Sequence, residues 1–519
     1  MKGVGLTLAL LLGLRLLFWG AAFPNPDEAY YWLWGQHPAL SYFDHPPLQA
    51  WMQGLFTHVL GRSHWTLRWP NLLSTLALVG LYGQICRQVY GSRPGVWRLT
   101  VLLLFTSPLF FLFLAIAWQD HWLVLFSTLA GYSLAQFLQG YPRHRPWGWL
   151  YGVGLWVGLA ALSKYLAVIL AGALLGAIAS HGPWRSLCRS PHLAGAIALA
   201  MAVASPVLVW NAQHDWLSVQ FYLGRSVQAD SGGVQWFGPI GFLLLSGLIF
   251  GPLHVWGTVR LLGQGTGRGF AFAYRRVAIA VALGSTTSLA LLSLKAPVLY
   301  YWNILAYPLL LPLLAGVFLA SPGSGQRWRY GGTLRATQIL GVLVAALLTL
   351  HYAGVPLSAL VDEAGDEDTR MLYGWEQVAQ RMKREATALT DNPLLLTTDY
   401  RSAAALAYAA NRPDVLAISG RRDQFDLWYD ASVLAGRDAL LLGDDWHPIC
   451  PAHKALFQRV EPLEPITVRR WGVLIKRYTL VRGRRFTPGP RDRDPFAPDY
   501  SLAFTTDGER CQAGTPQSP

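Results

Sequence analysis

Charged residues are scarce in this chain of 519 residues. Asp, Glu, Lys and Arg together make up 14% of it, whereas 53% of the residues are hydrophobic. A soluble domain has about 25% charged residues, so the composition excludes an ordinary soluble protein of this length. Apolar segments recur over the first 353 residues, which predicts a polytopic membrane protein.

Acidic residues are rarest in the first part of the chain. Only six of the 29 Asp and Glu residues lie in 1–353, and the other 23 lie in 354–519. Lys and Arg divide evenly, with 21 in each part. The change of composition near 354 predicts a domain boundary. The net charge of +13 follows from membrane topology and does not require nucleic acid as a partner.

Cysteines and nucleotide-binding motifs are also scarce. The four cysteines fit no metal spacing, and Cys86 and Cys188 fall near predicted cytoplasmic helix ends. Cys450 and Cys511 lie in the tail, where a disulfide and two free thiols are alternatives. The sequence contains no Walker A motif and no Rossmann glycine pattern after a strand, so we expect no nucleotide cofactor.

The apolar segments predict about eleven transmembrane helices, with a membrane domain over 1–353. A helix needs about 20 mostly apolar residues to cross the hydrocarbon core, although kinked or paired helices manage with fewer. The predicted spans lie near 4–22, 69–86, 99–117, 121–139, 148–163, 166–181, 193–210, 237–259, 277–294, 299–320 and 337–353.

The basic residues orient these spans, because short cytoplasmic loops are enriched in Lys and Arg. With the N-terminus inside, 15 basic residues of the first part fall on inner segments and five on outer ones. An odd number of spans then places the tail outside. All six acids of the first part fall on the outer side, which predicts a reaction centre there: Asp27, Glu28, Asp44, Asp120, Asp215 and Asp230.

The sequence pattern of the tail predicts a small α/β domain over 354–482. LLLTT and DALLLGDD have the pattern of strands, and helix-like stretches lie at 373–389 and in the small-residue run after TTDYR. Beyond Arg482 the sequence loses periodicity, so 483–519 is expected to be extended or disordered.

The outer loop 23–68 contains the densest group of polar residues, in PNPDEAYYW and FDHPPL. One interpretation is that a carboxylate of Asp27 or Glu28 takes a proton from a nucleophile. The alternative is a solvated loop in which Asp27 caps a helix and Glu28 is its neighbour.

An acid and three basic residues at the predicted outer interface each have a functional and a structural interpretation. Asp120 lies between two spans with almost no loop, where an acid is costly unless it is paired or functional. Lys164, Arg225 and Lys295 are suitable for binding a lipid-linked phosphate. As alternatives, Asp120 is a helix cap and the lysines extend to the interface.

Asp44 with His45 and His214 with Asp215 offer carboxylate and imidazole groups from two outer loops. A divalent metal ion bridging the loops is one interpretation, with Asp44 and His214 as ligands. No spacing here is diagnostic of a metal site.

The DEAYYW and FDHPPL stretches, together with TTDYRSAAALAYAA and RRDQFDLWYD in the tail, resemble a known family. The chain is similar to GT-C class integral-membrane glycosyltransferases. More narrowly, it resembles the bacterial branch of the dolichyl-phosphate-mannose protein mannosyltransferase family, which includes the lipid A aminoarabinose transferase. The resemblance implies a GT-C fold with a periplasmic α/β domain, in the bacterial inner membrane.

The same resemblance implies an activity and residue roles. A sugar moves, with inversion, from a polyprenyl-monophosphate donor to a hydroxyl of a glycan, glycolipid or protein acceptor. Asp27 is then the base, Glu28 its partner and Asp120 a second acid, while Tyr31 lines the donor site. Asp44 matches an acidic position that helps to bind a metal in some relatives, with His214 as its counterpart. His45 stands where several relatives carry Lys, which shifts phosphate binding towards Lys164, Arg225 and Lys295.

Two other functions remain open at this point. A lipid or glycolipid flippase without transfer chemistry should carry paired charges inside its spans, whereas here only Arg15 lies within one. An outer-surface binding or assembly protein would use the tail as its binding module.

Overall fold

The computed structural model describes residues 3–93, 95–227, 234–265, 267–319, 327–361, 367–389, 392–419, 422–429 and 431–487. The chain divides into two compact units. The helical unit comprises Met1–Trp19, Ala39–Gln49 and Arg68–Leu348, and the sheet unit comprises Gly20–Pro38, Ala50–Leu67 and Thr349–Pro519. Two parts of the predicted outer loop therefore group with the C-terminal part of the chain.

Helices dominate the first part of the chain. They are α1 (Val4–Ala21), α2 (Pro26–Gln36), α3 (Leu48–Leu60), α4 (His64–Tyr90), α5 (Val96–Thr106), α6 (Pro108–Phe113), α7 (Asp120–Leu138), α8 (Trp147–Ser163), α9 (Ala167–Ala179), α10 (Pro191–Val203), α11 (Ser205–Gln213), α12 (Leu217–Val227), α13 (Gly238–Phe250), α14 (Pro252–Leu262), α15 (Gly269–Leu292), α16 (Leu311–Leu319) and α17 (Arg327–Ala353). Short 3₁₀ helices lie at Gly182–Arg189 and Tyr300–Ala306.

Each predicted span coincides with one helix or with two consecutive helical pieces. Within the described residues, three helices are long and apolar enough to cross a membrane: Val4–Ala21, Gly269–Leu292 and Gly331–Ala353. The number rises to six if each of three bent helix pairs counts as one span. The helical membrane architecture agrees with the prediction, and the count of eleven spans stays a prediction.

The bends occur where the sequence interrupts the helical hydrogen bonds. Gly251 has a φ of 116°, a backbone conformation that favours glycine, and Pro252 follows it directly. The chain bends by 102° at this point, between α13 and α14. Pro108 likewise begins α6 directly after α5 ends at Thr106. These interruptions divide several predicted spans into shorter pieces.

Glycines allow close helix packing inside the helical unit. On α8, Gly154 lies against the Ala196 carbonyl, and a Cβ on Gly158 would be 2.8 Å from the Ala200 oxygen. Because both partners lie on α10, this small-residue face lets the two backbones approach closely, as is common between membrane helices.

The sheet unit carries the predicted α/β domain. Its elements beyond α17 are α18 (Glu367–Arg370), α19 (Trp375–Leu389), β1 (Leu394–Thr397), α20 (Tyr400–Ala410), β2 (Leu416–Ala417), β3 (Ala439–Asp444), α21 (Pro451–Lys454), β4 (Phe457–Arg470) and β5 (Val473–Phe486), with 3₁₀ helices at Leu357–Leu360, Gln424–Leu427 and Ala431–Leu434. The strand order is β2-β1-β3-β5-β4.

The sheet is parallel on one side and antiparallel on the other. β1 pairs in parallel with β2 and β3, whereas β5 pairs antiparallel with β3 and β4. The apolar runs predicted as strands are β1 and β3, which are fully buried, as expected for parallel strands covered on both faces.

The predicted end of the domain at Arg482 falls inside β5. β5 continues to Phe486, because Arg482 and Gly483 pair with Leu440 and Ala439 of β3. The rest of the predicted tail, 488–519, lies outside the described residues. Cys511 is among them, so its pairing with Cys450 stays a prediction, while Cys86 and Cys188 are free.

Candidate functional site

The acid pair lies in the first turn of α2, in the sheet unit. Asn25 is the N-cap, and its side-chain oxygen accepts a hydrogen bond of 2.9 Å from the Asp27 amide. The Glu28 carboxylate in turn accepts a bond of 2.7 Å from the Asn25 amide. The two contacts form a capping box, and Pro26 at the first helical position has no amide hydrogen to satisfy.

The capping box gives the two acids different surroundings. Glu28 is fully buried, and its carboxylate holds the helix start, whereas Asp27 is half-buried. The structural alternative for Asp27 as the N-cap is wrong, because Asn25 occupies that position. Asp27 is therefore the acid of the pair whose carboxylate is more accessible for proton transfer.

Tyr31 lies four residues after Asp27 on the same helix and is buried, at 3% exposure. Its ring meets the Trp34 ring at 5.2 Å, edge to face. Residues at positions i and i+4 share a helix face, so α2 presents Asp27 and Tyr31 on one side.

The helical unit contains a buried ion pair between Asp120 and Lys164. The Lys164 ammonium lies 2.7 Å from an Asp120 oxygen, and the two side chains are 8% and 0% exposed. Asp120 is the first residue of α7, and Lys164 directly follows α8. The Tyr301 ring centroid lies 5.5 Å from the ammonium. Asp120 and Lys164, which the sequence indicated as two independent candidates, are thus direct partners.

His121, next to Asp120, belongs to a structural network. Its two ring nitrogens lie 2.7 Å from the Ser74 hydroxyl and 3.0 Å from the Gln49 amide oxygen. The Gln49 amide nitrogen donates to the Ala117 carbonyl at 2.7 Å. These bonds fix the chain on both sides of Asp120 in the helical unit.

The FDHPPL stretch packs against α12 in the same unit. The Tyr222 hydroxyl lies 2.8 Å from a ring nitrogen of His45 and donates to the Asp44 carbonyl oxygen at 2.7 Å. The Asp44 side chain is buried, at 6% exposure, and His45 is half-buried. His45 is therefore oriented by Tyr222.

Within the described ranges, no group of three or more His, Cys, Asp and Glu residues is placed to hold an ion. A ring nitrogen of His214 lies 2.8 Å from the Trp210 carbonyl oxygen, and its ring stacks on Trp210. A metal bound by Asp44 and His214 stays a prediction, and no chemical step below depends on it.

The other two predicted phosphate ligands differ from Lys164. Lys295 is exposed just beyond α15. The side chain of Arg225 lies outside what the structure describes.

Three residues of these sites were missed from the sequence: Asn25, Tyr222 and Tyr301. Asn25 was detectable, because Asn followed three residues later by Glu is the pattern of a capping box. Tyr222 and Tyr301 carry no local signal, since each meets its partner across a long stretch of chain.

The helical fold matches solved structures of the GT-C fold over most of the chain. The crystal structure of ArnT from Cupriavidus metallidurans in the apo state matches with a TM-score of 0.63 at 17% identity, covering 92% of this chain and 97% of that chain. The form bound to undecaprenyl phosphate matches with a TM-score of 0.60 at 16% identity, covering 92% and 98%. At such identities the likeness shows the fold alone.

The sequence comparisons confirm the predicted family resemblance. Residues 44–210 match the family described as dolichyl-phosphate-mannose-protein mannosyltransferase. Over 203 residues, 37% of this chain, it is 32% identical to the lipid A galacturonosyltransferase RgtD of Rhizobium johnstonii. That match covers 40% of the relative's length. Nothing in these matches supports the flippase alternative.

Proposed function

We propose that this protein is an inverting glycosyltransferase that moves a sugar from a polyprenyl-monophosphate donor to an acceptor hydroxyl at the periplasmic face of the inner membrane. The observation that carries the proposal is the match of residues 44–210 to the mannosyltransferase family. The local geometry agrees with it, because the chain supplies both an accessible carboxylate and a buried, fixed cation.

The reaction makes two demands on the protein. The acceptor hydroxyl must lose its proton as it attacks the anomeric carbon, and the departing phosphate must be neutralised as negative charge develops on it. Asp27 is assigned the first role, since it is half-buried whereas Glu28 is fully buried. Tyr31, on the same side of α2, is assigned to the donor.

Lys164 is assigned the second role. An ammonium group has three donors, and Asp120 engages one of them at 2.7 Å, so two remain for phosphate oxygens. Asp120 then acts by holding the ammonium in place. His45, Arg225 and Lys295 are proposed as additional phosphate contacts.

The named relatives suggest the first substrates to test. One relative is a lipid A galacturonosyltransferase, and one structure of ArnT contains undecaprenyl phosphate. We therefore propose undecaprenyl-phosphate-linked galacturonic acid as the first donor and lipid A as the first acceptor, with other glycans, glycolipids and proteins as further acceptors.

The decisive test is Asp27→Asn in the purified full-length protein, in vesicles containing this donor and lipid A. We expect transfer to fall by at least about a hundredfold, since general-base catalysis contributes about 10²–10⁴. Binding of undecaprenyl phosphate should stay unchanged. Mass spectrometry of the lipid product measures the first quantity, and retention of labelled undecaprenyl phosphate measures the second.

Asp215→Asn is the matched control. Asp215 is another acid predicted on the outer side, is exposed, and has a φ of 51°, a conformation that Asn adopts readily. It should keep full transfer. Full transfer by Asp27→Asn would show that this carboxylate is not the base.

A further inference from the structure

The helix that carries the acid pair is attached to the C-terminal α/β domain, within the sheet unit. Tyr30 of α2, three residues after Asp27, is 1% exposed. Its ring lies 5.1 Å from the Tyr400 ring at the start of α20 and 5.9 Å from the Phe425 ring, which is stacked parallel to it. One aromatic residue of α2 therefore touches two separate segments of the domain.

The Tyr30 hydroxyl makes a specific bond to this domain. It accepts a hydrogen bond of 2.9 Å from the backbone amide of Gln424, the first residue of the 3₁₀ helix Gln424–Leu427. First-turn amides of a helix have no partner within it, so Tyr30 satisfies a buried donor. An unpaired buried donor destabilises the fold, so this contact depends on the Tyr30 hydroxyl.

Other contacts hold α2 along its length. The Trp32 ring meets the Tyr408 ring of α20 edge to face at 5.2 Å, and the His37 ring nitrogen lies 3.3 Å from the Pro413 oxygen. On another side, Gly35 approaches α3 so closely that a Cβ there would lie 2.7 Å from the Ala50 oxygen. Helix α2 is thus packed against both α3 and α20.

These contacts fix the rotation of α2 about its own axis. Asp27 and Tyr30 are at positions i and i+3, so they lie on neighbouring positions of one helix face. Turning the helix enough to break the Tyr30 bond would also change the direction of the Asp27 carboxylate. A misplacement of about 1 Å is enough to cost about a hundredfold in rate.

We propose that the C-terminal domain positions Asp27 for proton transfer and that Tyr30 is the positioning residue through which it acts. This inference rests on the proposed function, since it gives Asp27 the role of the base. It assigns the domain a part in the chemical step.

Tyr30→Phe in the full-length protein tests the inference, because it keeps the ring and removes only the hydroxyl group. We expect kcat for the undecaprenyl-phosphate galacturonic acid donor to fall at least about tenfold, with KM for that donor changed less than twofold. Hydrogen exchange of the α2 amides at 30–36 should become at least about tenfold faster. An unchanged kcat, or unchanged α2 exchange, overturns the inference.

Two further variants separate positioning from general destabilisation. Ser419→Ala removes the 2.7 Å bond from the Ser419 hydroxyl to Asp423, which caps the same 3₁₀ helix, and leaves Tyr30 intact. It should lower the thermal midpoint without changing kcat. Tyr30→Phe combined with Gln424→Pro removes both partners of the bond, and Pro is well suited to a first helical position. This double variant should regain stability but not kcat.

The outcomes distinguish the two proposals. If Asp27→Asn is inactive while Tyr30→Phe keeps full kcat, the positioning role fails and the proposed function stands. If kcat recovers along with stability in the double variant, Tyr30 acts only on stability and the inference is overturned. If the wild-type protein transfers no sugar, the proposed function fails, whereas an Asp27→Asn variant that keeps activity removes only the role of Asp27 as the base. In both cases α2 exchange in Tyr30→Phe still decides whether the domain anchors the helix. Should Tyr30→Phe not fold, the double variant is measured in its place.

Discussion

At the scale of single residues, burial and hydrogen bonding separate side chains of the same type. Asp27 and Glu28 are adjacent acids, yet the Glu28 carboxylate is bound by the Asn25 amide while Asp27 stays half-buried. Lys164 and Lys295 are both interfacial lysines by sequence, yet only Lys164 is buried against a carboxylate. These differences are the reason that proton transfer is assigned to Asp27 and phosphate neutralisation to Lys164.

The Asp120–Lys164 pair yields a prediction at this scale. Removing one partner of a buried ion pair leaves a charge without its counter-ion and costs about 3–5 kcal/mol. We expect Asp120→Asn and Lys164→Met each to lower the free energy of unfolding by about that amount. The double variant should be less destabilised than the sum of the single changes, by at least about 1 kcal/mol.

Equilibrium unfolding in detergent, monitored for wild type, both single variants and the double variant, checks this expectation. Asp215→Asn, at an exposed acid, serves as the reference for a change outside the pair. Strict additivity of the two single changes would contradict a direct ion pair.

At the scale of elements, one cluster of charged residues of the C-terminal domain lies at the carboxyl ends of β1 and β3. This is where the strand order reverses, because β2 lies on one side of β1 and β3 on the other. The charged groups that meet there come from α18, the turn after β1, α20, the end of β3 with the turn after it, and β5: Glu367, Asp368, Asp399, Arg401, Asp444, His447 and Lys476.

His447 lies among three of these carboxylates. One ring nitrogen is 3.4 Å from Glu367 and 3.5 Å from Asp444, and the other is 3.7 Å from Asp399. Burial by itself lowers the pKa of His447, but the negative charges of Asp399, Asp444 and Glu367 outweigh burial and raise it. The folded domain therefore favours the protonated ring.

This arrangement predicts how the stability of the domain depends on pH. A histidine whose pKa is raised on folding contributes stability that is fully present below its unfolded value near 6.5 and is lost as pH rises through its folded value. We expect the peptides 394–410 and 439–447 to lose protection from hydrogen exchange, after correction for intrinsic rates, as pH rises above about 6.5.

His447→Asn is the test variant, and it should remove this alkaline loss. His453 provides an internal comparison of opposite sign, because burial lowers its pKa to about 4 and its ring bonds to the Cys450 amide and the Ile418 carbonyl. Its contribution is present above about 6.5 and is lost as pH falls, so His447→Asn should keep that acid loss. An alkaline loss that persists in His447→Asn would contradict the assignment.

At the scale of the whole molecule, the predicted orientation is directly testable. Cys188 is exposed on the segment Gly182–Arg189, which the basic residues place in the cytoplasm, whereas Cys86 is buried. A membrane-impermeant maleimide should modify Cys188 in inverted vesicles and not in intact spheroplasts. Mass spectrometry of the Cys188 peptide measures this, with Cys86 as the unreactive control.

Labelling of Cys188 from the outer side would reverse the orientation. It would also place the acids of the first part of the chain on the cytoplasmic side, which is incompatible with transfer at the periplasmic face.

Much of the fold was predictable, because apolar length and strand pattern are local signals. The helical segments and the runs LLLTT and DALLLGDD appear where they were expected. The hairpin of β4 and β5 was not predicted as such, since its strands alternate charged and apolar residues over 14 positions each and carry few short apolar runs. Its tight turn, Trp471-Gly472 with both φ values positive, is clear only with the pairing known.

By itself, the sequence determined that this is a helical membrane protein, that its first 353 residues contain few acids, and that Asp27 and Glu28 lie in a polar stretch. Each of these depends only on composition or on neighbours in the chain. Only the tertiary structure decided that Asp120 and Lys164 are partners and that Tyr30 bonds to Gln424, 394 residues later. Both pairs join segments that are far apart in the sequence. They cannot be predicted from the sequence, because folding decides which partner a buried polar group is bonded to.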